Sequence, residues 1–191
     1  MADGDRLCVA VRGPWAGREG HLDAPFWTTP APLVERMLDL TRAGPGDRLI
    51  DLGCGDGRIV IAAARRGAAA LGVDIDPGRI AQAEAAAAGA GIGALARFRQ
   101  EDLFATQLGG ATIITLYLLP HVNQLLMTRL RTELRPGSRV AGHAFPMGGW
   151  EPEAHEKVDG RDLYLWVVPR FPGGARRRPT HPACPGLSDL N

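Results

Sequence analysis

A chain of 191 residues with 45% apolar and 23% charged side chains has the balance of one globular domain with a sizeable core. Its net charge of +1 argues neither for a nucleic-acid-binding surface nor for an acidic tail. No apolar run reaches the roughly eighteen residues of a membrane span, and the opening MADGDRLCVAVRG has no signal-peptide core.

Residues 1–28 read as an irregular segment rich in Gly, Pro and Trp, a candidate lid ahead of the domain. Thr29-Pro30 then opens a helix, with Thr29 as cap and Leu33, Val34, Met37, Leu38 and Leu40 as its apolar stripe. GPGD (44–47) is a turn, RLIDLGC a buried strand and GRIVIAAARRG a buried helix ending at Gly67. ALGVDI is the second strand, followed by an alanine-rich helix capped by Asp76. ARFRQED and ATIITLYL are strands three and four, and residues 121–135 form a helix. PGSRVAGHAF gives a turn and the fifth strand. HEKVDG and DLYLWVVP form a closing antiparallel hairpin about Gly160. Such alternation predicts an α/β fold: a seven-stranded, mostly parallel Rossmann-like sheet over residues 29–172, with a C-terminal hairpin. From residue 173 the chain is Gly-, Pro- and Arg-rich and is expected to be a flexible tail.

DLGCGDGR (51–58) carries the chemistry. A bare loop between a strand and a helix N-terminus lets a ligand approach the backbone N–H groups. The spacing Gly53, Gly55, Gly57, with Arg58 where a dinucleotide fingerprint needs glycine, is not G-x-G-x-x-G, and no G-K-[ST] follows. Asp51 at the strand end would repel a pyrophosphate but suits an ammonium group. S-adenosylmethionine fits, having an α-amino group, a sulfonium and a carboxylate but no phosphate. Asp74, 23 residues after Asp51 at the end of strand two, is placed to accept from both ribose hydroxyls, with Ile75 against the adenine. Asp102 at the end of strand three can accept from the adenine amino group, with Leu103 as apolar lining. Each aspartate alone could be a helix cap or turn residue; three at successive strand ends, with the glycine loop at the first, favour the cofactor. Cys54 is a small filler in the loop. Three scattered cysteines, Cys8, Cys54 and Cys184, make neither a disulfide framework nor a zinc site and point to a reducing cytoplasm. The histidines lack ligand spacing, so no metal is expected.

DLGCGDGR with GVDID and QEDLF resembles the signature of class I S-adenosylmethionine-dependent methyltransferases. TTPAPLVERML, ATIITLYLLPHVN and LRPGSRVAGHAFPMGGWEPE extend the resemblance over residues 24–170. It is to small bacterial methyltransferases related to the mitochondrial protein-lysine methyltransferases of the ATP synthase c subunit and the adenine nucleotide translocase. Where the bacterial relatives usually read serine-His in strand five and aspartate before the tryptophan, this chain has Gly142-His143 and Gly149-Trp150.

The acceptor side is expected beyond the end of strand four, TLYLLP, which lacks an Asn/Asp-Pro-Pro-Tyr motif and so argues against N6-adenine and amide acceptors. Thr115 is expected on the cofactor, and Tyr117, on the same side of the strand, on the nucleophile or the methyl channel. His143 is a candidate base or a structural histidine. Phe26, Trp27 and Thr29 are expected to fold over the cofactor and border the acceptor. Trp150 either closes the pocket or caps the core. The resemblance implies N-methylation of a protein lysine. The alternatives are a small-molecule O- or N-methyltransferase and a non-catalytic S-adenosylmethionine binder, with nucleic acid the weakest acceptor.

Overall fold

The computed structural model describes residues 27–169. In chain order the elements are α1 (Ala31–Leu40), β1 (Arg48–Leu52), α2 (Arg58–Arg65), β2 (Ala69–Asp74), α3 (Pro77–Gly89), β3 (Ala96–Gln100), β4 (Ile113–Leu116), α4 (Pro120–Glu133), β5 (Arg139–His143), β6 (Ala154–Val158) and β7 (Arg161–Val167). They build one seven-stranded sheet in the order β3-β2-β1-β4-β5-β7-β6. Strands β1 to β5 pair in parallel, and β7 inserts antiparallel between β5 and β6. The expected architecture, including the closing hairpin, is therefore present.

The central strands are near-continuous apolar runs because both their faces are buried, and side-chain alternation sorts them. Ile50, Leu52, Ile114, Leu116 and Val140 face α4, against Val122, Leu126 and Leu130. Leu49, Ile113, Ala141 and Leu163 face the other layer, against Val34, Met37 and Leu38 of α1 and Val60 and Ala63 of α2. Burying each such leucine or isoleucine contributes about 1.5–3 kcal/mol, more than local propensity gives a four-residue strand. Helix α3 is alanine-rich and starts where Asp76 accepts from the Gly78 amide at 2.8 Å.

Two glycines set how closely these layers approach. Gly57 has φ +78°, and a Cβ there would lie 2.7 Å from the Phe98 ring and 2.8 Å from Ala83. It does the close-packing work of a third fingerprint glycine, one position earlier. Gly142 lies under Trp166, whose ring would be 2.9 Å from an added Cβ, so a serine side chain has no room there.

Three local expectations need correction. Thr29 does not cap α1; Pro30 occupies that position, and the buried Thr29 side chain turns to His143. Strand β3 ends at Gln100, so Asp102 stands two residues past it, where its Oδ1 accepts from the Phe104 amide at 2.8 Å and turns the chain. Strand β4 ends at Leu116, which puts Tyr117 in the connection to α4.

Candidate active site

The parallel register assembles the first part of the site. Asp51 on β1 lies opposite Thr115 on β4, and both side chains point to the α2 side of the sheet. The Thr115 hydroxyl donates to Asp51 Oδ1 at 2.7 Å. Asp51 is 3% exposed. Burial raises its pKa to about 7; the Thr115 bond opposes that rise, and the charges of Asp74 and Asp56 add to it. A carboxyl in that condition gains from a cation brought against it.

The glycine loop continues the wall. The amides of Gly53 and Cys54 both donate to the Val73 carbonyl at 2.9 Å, and the Gly55 amide donates to Asp74 Oδ2 at 2.9 Å. Asp74 Oδ1 accepts from the Asp76 amide at 3.0 Å. Each Asp74 oxygen thus holds one backbone donor and keeps a second lone-pair direction for a ligand hydroxyl. Asp51, Gly53, Gly55, Asp74, Ile75, Asp102 and Leu103 all line one pocket. Cys54 lines it too, but burial pushes its thiol pKa well up, as suits an inert filler.

Six carboxylates line this pocket, Asp51, Asp56, Asp74, Asp76, Glu101 and Asp102, against two cations, Arg58 and Arg79. Both cations already face acid: Arg58 Nε donates to Asp56 Oδ1 at 2.9 Å, and Arg79 Nε lies 4.0 Å from Asp76. Partial burial works against the charge on Asp56, but the Arg58 contacts outweigh it and hold that carboxyl below the usual range. A phosphate would meet repulsion here. A ligand with an ammonium, a sulfonium and ribose hydroxyls meets the buried, raised Asp51 and the tethered Asp74. S-adenosylmethionine fits these residues.

The other end of the pocket is aromatic and apolar. Trp27, Thr28, Thr29, Tyr117 and Leu118 line it. Tyr117 lies 6.3 Å from the Trp27 ring and 3.9 Å from the His143 ring. Trp27 is 55% exposed, so this end opens to the surface. Phe26 lies outside the described residues, as do most of the candidate lid and the tail.

Thr115 stands elsewhere than expected, while His143 and Trp150 take the structural one of the two places open to each. Thr115 is fully buried behind Asp51 and does not line the pocket; it positions the carboxylate. His143 is 2% exposed and sits behind Tyr117, its Nδ1 3.3 Å from Thr29 Oγ1. Burial, reinforced by the charge of Arg161, lowers its pKa to about 4. It is neutral near pH 7, with Thr29 on its Nδ1 and the Tyr117 ring packed against it. Trp150 is a core residue: its ring packs 6.3 Å from Trp166, and its carbonyl accepts from Trp166 Nε1 at 2.8 Å. Just after His143, Ala144 holds φ +68°, a strained value costing about 1–3 kcal/mol, where the chain turns out of β5.

Among the lining residues not singled out from sequence are Arg58 and Asp56. Arg58 Nη1 donates to the Thr29 carbonyl at 3.0 Å, joining the glycine loop to the aromatic end. One signal for it was present in the sequence: a cation in the first turn of a helix opposes the dipole and needs a local partner.

Sheet order, glycine loop and carboxylate row define a class I S-adenosylmethionine-dependent methyltransferase. Comparison with known proteins is more specific. The ANTKMT methyltransferase domain matches residues 51–154, and this chain belongs to that family. It is 37% identical over 150 residues to a protein-lysine N-methyltransferase of Saccharolobus islandicus, covering 75% of this chain and 93% of that protein. It is 37% identical over 135 residues to the adenine nucleotide translocase lysine N-methyltransferase of Mus musculus, covering 70% of this chain and 58% of the mouse protein. Among solved structures, an RNA methyltransferase from Salinibacter ruber in complex with S-adenosyl-L-homocysteine has 45% identity and a TM-score of 0.74, covering 78% of this chain and 98% of that one. Among the described residues, no helix is long and apolar enough to cross a membrane.

Proposed function

We propose that this enzyme transfers a methyl group from S-adenosylmethionine to the side-chain amine of a lysine in a protein. The observation that carries the acceptor is the pairing of an open aromatic end, Trp27 and Tyr117, with a carboxylate-lined remainder. A long cationic side chain can enter there, whereas a nucleic-acid backbone would meet six carboxylates. The lysine N-methyltransferase relatives support the same acceptor.

When bound, the cofactor supplies a methyl group already activated on a sulfonium. The protein's work is positioning and desolvation. Asp51 would hold the amino end, Asp74 the ribose, and Asp102, Ile75 and Leu103 the adenine. Thr115 aims Asp51. The acceptor amine must shed a proton from a reference pKa of about 10.4. The walls of Trp27, Tyr117 and Leu118 disfavour its charged form and so ease that loss to water. Tyr117 lines the channel, and His143 keeps it and Thr29 in place. The catalytic domain of this reading is 29–172, preceded by a lid segment that includes Phe26. A cytoplasmic location, read from the sparse cysteines, belongs to the same proposal.

The test is methyl labelling. The protein is incubated with radiolabelled S-adenosylmethionine and a host lysate, which is then split into protein, RNA and small-molecule fractions. Label in a protein band that yields methyl-lysine on hydrolysis is expected. Label confined to RNA would instead align this chain with the Salinibacter relative, and label confined to small molecules would make it a metabolite methylase. Either result overturns the lysine assignment.

A further inference from the structure

Residues 27–29 form a strap at the open end of the pocket, far in sequence from the glycine loop. Arg58 joins the two. It is the first residue of α2, a helix with no acidic residue in its first turn, so its charge gains nothing from the helix dipole. What it has instead is a fork. Nε donates to Asp56 Oδ1 at 2.9 Å, while Nη1 donates to the Thr29 carbonyl at 3.0 Å. Thr29 is fixed again through its hydroxyl, 3.3 Å from His143 Nδ1. Two residues before Thr29 stands Trp27, and Trp27, Thr29, Asp56 and Arg58 all line the pocket.

We propose that Arg58 is a positioning residue that ties the strap 27–29 to the glycine loop, so that cofactor occupancy sets the acceptor wall at Trp27. This rests on the methyltransferase reading of the pocket. The loop that receives the cofactor continues directly into Asp56 and Arg58, so steadying the loop steadies the guanidinium. The guanidinium in turn steadies the Thr29 carbonyl. Only a planar fork can grip Asp56 and reach Thr29 at once; a lysine ammonium can serve one of them well.

The experiment reads Trp27 directly. In the full chain carrying Trp15→Phe, the remaining tryptophans Trp150 and Trp166 are buried, so iodide quenching reports Trp27. S-adenosylhomocysteine is the probe, with its affinity measured by calorimetry. In this parent, the probe is expected to shield Trp27 from iodide. Arg58→Met should bind the probe within about fivefold of the parent yet lose the shielding, and Arg58→Lys should recover part of it. Should Arg58→Met fail to fold, the graded response of Arg58→Lys decides alone. Shielding that is unchanged in the variants, or absent in a parent that binds the probe, overturns the tie. Loss of probe binding in a natively folded Arg58→Met also overturns it, by making Arg58 a direct cofactor ligand. A parent that does not bind the probe at all would strike the cofactor assignment first, and this inference with it.

Discussion

The two ends of the pocket are built differently. The cofactor end is backbone and carboxylate: loop amides locked to Val73 and Asp74, and Asp51 braced by Thr115. The acceptor end is side chain on side chain, with Trp27, Tyr117 and His143 brought together from three distant stretches. On the proposed reading, a cofactor common to a superfamily is met by strand ends that every such sheet provides, and the acceptor by residues that only tertiary packing unites. The two ends should therefore fail in different ways when broken.

The largest effect is expected where the cofactor loop meets the sheet. Gly57→Ala forces a Cβ against Phe98 at a left-handed φ and should cost about 3 kcal/mol, by strain and overpacking together. Calorimetric melting should show a fall of roughly 6–12 °C. Next comes Thr115→Val, which keeps the shape and deletes the hydroxyl that favours ionised Asp51. The Asp51 pKa should rise further, and cofactor affinity near pH 7 should drop about tenfold, with less loss at pH 9.

A pH titration sharpens the same end. The Asp51 pKa is raised to about 7, so a cationic ligand binds the ionised form against its burial cost. Affinity for S-adenosylmethionine should rise about tenfold from pH 6 to pH 8, with proton release on binding at the lower pH. For stability the sign is opposite: ionising a raised carboxyl works against the fold, so without ligand this contribution falls as pH climbs from the ordinary carboxylate range through 7.

The smallest effect on the cofactor belongs to the acceptor end. His143→Gln should leave cofactor affinity within a few-fold of wild type while lowering turnover several-fold, through Thr29 and Tyr117. Because the His143 pKa lies near 4, the wild-type rate should show no inflection from this histidine between pH 5 and 8, and the variant should keep the same profile. A lost inflection in the variant would return His143 to the role of base. Its depressed pKa has one stability consequence: the contribution of the neutral histidine is whole above the ordinary histidine range and is lost as pH falls from there to about 4.

The same division explains what could be read from the sequence. Asp51, Asp74 and the glycines stand in one short motif and at one regular interval, and strand ends follow from local patterning. Asp76 behaves as the local cap it resembles. Thr115 was legible as facing the site, but only the register with β1 turns its hydroxyl onto Asp51. Thr29 has the composition of a cap, yet a partner 114 residues away claims its side chain. Trp150 belongs to the core because Trp166, on a strand that inserts out of sequence order, lies beside it. Arg58 reads in the sequence only as a missing glycine, because its contact is with Thr29, 29 residues back along the chain.

The most direct test of the account is a calorimetric titration of S-adenosylhomocysteine into wild type and Asp74→Ala. Removing Asp74 takes the partner from the Gly55 and Asp76 amides and, on the proposed reading, the acceptor from two ribose hydroxyls. A loss of about 2–4 kcal/mol in binding, roughly 30- to 1000-fold, is expected in a protein that still folds. Equal affinity in the two proteins would contradict it and remove Asp74 from the cofactor site.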